Sequence, residues 1–90
     1  MDLIGLRNKI DLLDEKLLCI LKERMMLIPQ VAEYKKKNNI DRYQPTREKE
    51  VIGIRRELAK KLDLNPEFVE VVFKEIIKDA HRIEKEIMGK

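Results

Sequence analysis

A chain of 90 residues, read as one domain over 1–90, buries only a modest core, so a second copy is a natural way to complete it. With 43% apolar and 41% charged residues, three Gly and three Pro, the composition favours an all-α fold over sheets or disorder. The net charge of +3 is what remains of 20 cations against 17 anions spread along the chain, a pattern that argues against a nucleic-acid partner.

Leu3, Leu6, Ile10, Leu13, Leu17, Ile20, Leu21, Ile28 and Val31 recur at three- and four-residue steps. The spacing predicts one amphipathic helix from about residue 3 to residue 38, stopped by Asn38 and Asn39. Pro29 opposes it, because an internal proline removes the hydrogen bond to the carbonyl of Met25 and costs about 3 kcal/mol. The apolar register nevertheless continues from Ile28 to Val31, and no Gly, Asn, Asp or Ser stands nearby to make a turn, so a kinked but continuous helix is expected. A second helix is predicted from Pro45 through Val51, Ile54, Leu58 and Leu62, with Gly53 as a weak point. Asn65 as N-cap, Pro66 at the first position and Glu67 on the dipole open a third. Its stripe is Val69, Val72, Phe73, Ile76, Ile77, Ala80, Ile83 and Ile87.

The first helix is too long for its own chain to cover. About 36 residues span roughly 54 Å at 1.5 Å per residue, against a radius of gyration of about 12 Å for a compact chain of this length. The expected fold is therefore an intertwined homodimeric bundle of two three-helix chains. No apolar run is long enough to cross a membrane and no basic, then apolar, leader opens the chain, so a cytoplasmic protein without a membrane partner is expected. The single cysteine, Cys19, makes no internal disulfide and no metal cluster, which suits a reducing compartment. Lys36 and Lys37 read as a solvated helix end.

Cations also stand where packing should be apolar. Arg24 and Lys35 are eleven residues apart, three turns plus about 20°, and share the face of Leu17, Ile28 and Val31. Arg47 lies four residues before Val51, and Glu84 lies on the stripe of the third helix. A lone charge there would snorkel to water. Three cations against one carboxyl leave an excess that an anionic ligand would neutralise, which suggests a pocket for a small polyanion with carboxylate groups. No serine is present, and Thr46, His81 and Cys19 are the only residues of their kinds, so a nucleophile triad or zinc site is nearly excluded. His81 reads as a surface histidine paired with a nearby carboxylate. An enzyme built this way holds one molecule in a reactive shape and stabilises developing charge.

The stretches "LRNKIDLLDEKLLCILKERMMLIPQVAEYK", "RYQPTREKEV" and "VFKEIIKDAHRIEKE" together resemble the three helices of the all-helical chorismate mutases, over nearly the whole chain. That resemblance implies an intertwined homodimer with two sites, rearranging chorismate to prephenate without cofactor or metal on the route to phenylalanine and tyrosine. It implies that Arg24 and Arg7, the latter from the other protomer, bind the two carboxylates of the substrate. By the same resemblance Lys35 serves the ether oxygen, Arg47 assists at a carboxylate and Glu48 accepts from the ring hydroxyl. Catalysis would thus rest on Lys35, Glu84 and Arg24.

Three positions depart from the commonest bacterial pattern. Gln44 stands where an Asp often precedes the Pro, and Ala80 replaces a small hydroxyl residue near the substrate. Glu84 replaces a frequent glutamine that donates to the ether oxygen, and an ionised carboxylate cannot donate. Activity is therefore expected to rise toward acidic pH. The nearest alternative is an isochorismate-pyruvate lyase of the same fold; a non-catalytic helical dimerisation or regulatory module is the alternative of another class.

Overall fold

The computed structural model describes residues 2–90. Its three helices are α1 (Leu3–Lys37), α2 (Pro45–Lys61) and α3 (Pro66–Met88), with the proline inside α1 at Pro29. Each boundary has a local cause. Asp2 accepts from the Gly5 amide at 2.8 Å and caps α1, and Asn65 Oδ1 accepts from the amides of Glu67 and Phe68 at the start of α3. Both α1 and α2 stop in a Schellman turn. Asn39 (φ 54°) and Asp63 (φ 56°) take the left-handed conformation, and the amides of Ile40 and Leu64 reach back to the carbonyls of Lys35 and Ala59. Asn and Asp bear that conformation better than bulkier residues.

The helix α3 occupies the centre. It packs against both α1 and α2, while α1 and α2 do not pack on one another among the described residues. Arg56 ties α2 to α3 through Glu67 at 3.1 Å and Glu70 at 3.0 Å. The result is 55 Å long with a radius of gyration of 16.3 Å, well above the ~12 Å of a compact chain this size.

Very little of this chain is inside it. The buried apolar residues are Ala32, Val51, Ala59 and Ala80, and no large side chain is fully buried among the described residues. The surface of 7394 Å² compares with about 5,500 Å² for a compact monomer of 10.7 kDa. Every apolar residue of α1 from Leu3 to Ile20 is exposed. The stripe predicted for α2 is corrected in the same sense: Ile54, Leu58 and Leu62 are about half exposed, and the residues α2 buries are Val51 and Ala59. Within this chain α2 has α3 on one side only, so small residues at that contact are covered and the larger ones beside them are not.

Candidate active site

The gap between α1 and α2, floored by α3, forms a hollow of about 270 Å³. From α1 come Arg24 and Lys35, from the connection and the start of α2 come Gln44, Arg47 and Glu48, and from α3 come Ala80 and Glu84. Seven of the eight residues named from the sequence thus line one hollow. The eighth, Arg7, is exposed on the part of α1 that no other helix of this chain covers.

Arg24 Nη1 is buried without a hydrogen-bond partner, the one such side-chain atom among the described residues. Its guanidinium is held below its ordinary pKa first by desolvation, then by repulsion from Arg55 and Arg47. An arginine stays charged at any working pH, so it carries a positive charge that no carboxylate among the described residues pairs with.

Lys35, in the last turn of α1 before the C-cap Asn38, is held by the loop that follows it. Its Nζ donates to the Arg42 carbonyl at 2.8 Å and meets Glu84 Oε1 at 3.2 Å. Glu84 is 5% exposed, so this is a largely buried ion pair. Gln44 makes no side-chain cap for α2; its Nε2 donates instead to the Asp41 carbonyl at 2.9 Å, within the loop that carries Arg42.

Two expectations change. Arg47 lies at the rim, not the floor: its side chain is 61% exposed and pairs with Glu50 at 3.1 Å, because it sits in the first turn of α2 with nothing over it. His81 is half-buried, not on the surface, and its partner is across the helices: Nε2 lies 2.7 Å from Glu48 Oε2. Arg42 Nη1 lies 2.7 Å from the other ring nitrogen and Arg42 Nε donates to the Lys90 carbonyl.

Sequence reasoning missed Arg55 and Arg42. Arg55 lines the hollow beside Arg24 and stacks over Phe73 at 5.5 Å. One turn beyond Val51, it stood in helical register with a residue already assigned to the core. Arg42 is in a connection, where periodicity carries no signal.

A larger groove of about 860 Å³ runs outside α3 from Arg42 to Glu86, and several of its charges are held in ion pairs on the surface. Arg82 pairs with Asp79 and Glu86, and Lys74 with Glu70. The smaller hollow, which holds the buried and unpartnered Arg24 Nη1, is the better ligand site.

Residues 6–85 match the family described as chorismate mutase type II. The chain belongs to the chorismate mutase type II family. The matched span takes in Arg7 and every residue of the hollow. Among curated proteins, this chain is 31% identical over 85 residues to a T-protein of Enterobacter agglomerans, covering 94% of the chain and 23% of that relative. It is 30% identical over 89 residues to a bifunctional chorismate mutase/prephenate dehydratase of Buchnera aphidicola subsp. Schizaphis graminum, covering 99% and 23%. A T-protein of Haemophilus influenzae is 28% identical over 81 residues, covering 90% and 22%. The chain thus spans under a quarter of the length of these relatives. No solved structure matches it significantly.

Proposed function

We propose that this chain rearranges chorismate to prephenate in the hollow, which a second copy of the chain completes. The observation that carries this reading is the buried, unpartnered Arg24 Nη1 beside Lys35 in a hollow lined by further arginines. A dianionic substrate supplies the missing partners. In the reaction one ether C–O bond breaks while one C–C bond forms within the same molecule, so no cofactor is needed. Arg24 grips one carboxylate, with Arg55 adding positive charge beside it, and the partner subunit's Arg7 grips the other. Arg47 swings from Glu50 to assist, leaving an exposed ion pair worth under about 1 kcal/mol. Glu48 accepts from the ring hydroxyl. Negative charge grows on the ether oxygen in the transition state, so Lys35 stabilises that state more than bound substrate. A 10⁶-fold acceleration corresponds to about 8 kcal/mol, which restraint in a chair-like conformer and this charge can supply together.

Glu84 competes for Lys35 while ionised and donates to the ether oxygen only when protonated. The turnover rate is expected to rise as pH falls, and Glu84→Gln, which donates at any pH and releases Lys35, is expected to flatten the profile. Rates measured across pH for both proteins test this; parallel profiles refute the role of Glu84.

The dimer is supported by the excess surface and by the bare apolar face of α1. Leu13 is 61% exposed in this chain, where a polar substitution would ordinarily change stability by less than about 0.5 kcal/mol. Leu13→Glu is instead expected to shift sedimentation from dimer to monomer and lower activity at least about 100-fold. Wild-type protein sedimenting as a monomer would remove the dimer from the account.

A further inference from the structure

Three residues from three segments meet beside the hollow: Arg42 from the connection, Glu48 from α2 and His81 from α3. The hydrogen bonds among them assign a proton. A guanidinium can only donate. Arg42 Nη1 lies 2.7 Å from His81 Nδ1, so Nδ1 is the accepting nitrogen and the ring proton sits on Nε2. That nitrogen is 2.7 Å from Glu48 Oε2, and it donates there. Glu84 Oε2 lies 3.7 Å from Nδ1, beyond hydrogen-bond reach and facing a nitrogen without a proton, so the ring acts on Glu48 and not on Glu84. Tyr43 packs edge-on to the imidazole with centroids 6.1 Å apart, limiting its rotation. Among the described residues Glu48 Oε1 has no donor, and Glu48 lines the hollow.

We propose that His81, fixed as its Nε2–H tautomer by Arg42, is a positioning residue that holds one oxygen of Glu48 and turns the other toward the substrate's hydroxyl. This rests on the chorismate reading for the identity of that hydroxyl. The same Arg42 holds Lys35 through its backbone carbonyl at 2.8 Å, so one loop residue orders both the cation and the acceptor of the site.

The bond from Glu48 is made to bound substrate and transition state alike, so its loss raises KM and leaves kcat nearly unchanged. His81→Phe is expected to raise KM roughly tenfold, with kcat within about twofold. His81→Gln, whose amide N–H can stand for Nε2–H, is expected to restore KM to within about threefold. Glu48→Gln is expected to show no further loss when combined with His81→Phe. The ¹⁵N shifts of the imidazole at neutral pH, read without substrate, are expected to show Nε2 protonated and Nδ1 not, and Arg42→Met to abolish that preference and raise KM likewise. The Arg42 variant serves should His81→Phe fail to fold. An Nδ1–H tautomer in the wild-type protein, an unchanged KM in folded His81→Phe, or a kcat loss that Gln does not rescue overturns the proposal. Because the tautomer is read without turnover, its failure is separable from a wild-type protein inert toward chorismate.

Discussion

Lys35→Ala is expected to lower kcat/KM for chorismate by about 10²–10³, mostly in kcat. In the proposed reaction the ammonium sits where charge develops, and removing one such preorganised donor costs that much in comparable sites. Lys35 also answers Glu84, which is buried, so alanine leaves a buried carboxylate without its cation and destabilises the fold as well. The two effects separate in the double variant Lys35→Met/Glu84→Gln, which removes both charges. It is expected to regain thermal stability and not activity. Recovery of activity along with stability would reduce Lys35 to a structural residue.

Arg24→Leu should have an equally large effect on activity and an opposite one on stability. Its charge is desolvated and repelled by Arg55 and Arg47, with one nitrogen buried and unpartnered, so the fold carries it at a cost. A depressed pKa for a base means that folding disfavours the charged form. Since arginine is protonated at any working pH, that cost does not vary across the working range. Leucine removes the charge and fills much of the volume. Stability should be unchanged or higher by about 1 kcal/mol, seen as an equal or raised Tm at all pH values. Meanwhile kcat/KM should fall by 10² or more by an order-of-magnitude estimate for losing a charged carboxylate contact. A dicarboxylate transition-state analogue should raise Tm of the wild type and not of Arg24→Leu. A variant that is less stable without ligand yet still stabilised by the analogue would place the substrate's carboxylate elsewhere.

The helices were legible because local signals agree. Asn65 and Pro66 start α3 where the cap chemistry demands, and Asn39 ends α1 because it tolerates the left-handed conformation. Pro29 did not break α1, since apolar register continues on both sides of it. Arg24, Lys35 and Glu84 were legible as charges in an apolar register, and the structure gathers them at one hollow. Exposure was less legible. Periodicity marks Ile54, Leu58 and Leu62 as an apolar face but does not say whether the same chain or another covers it. Arg47 and Arg55 flank Val51 at the same four-residue step, and sequence spacing alone favours neither as the deeper one. The Arg42, His81 and Glu48 cluster joins three segments whose adjacency exists only in the fold.

The most direct test is the fall in chorismate absorbance with the purified chain at concentrations where sedimentation gives the proposed dimer, with prephenate identified as product and isochorismate offered in parallel. Saturable conversion of chorismate to prephenate, abolished by Arg24→Leu, is the predicted result. A folded dimer that leaves chorismate unchanged, or that releases pyruvate from isochorismate instead, would contradict the account.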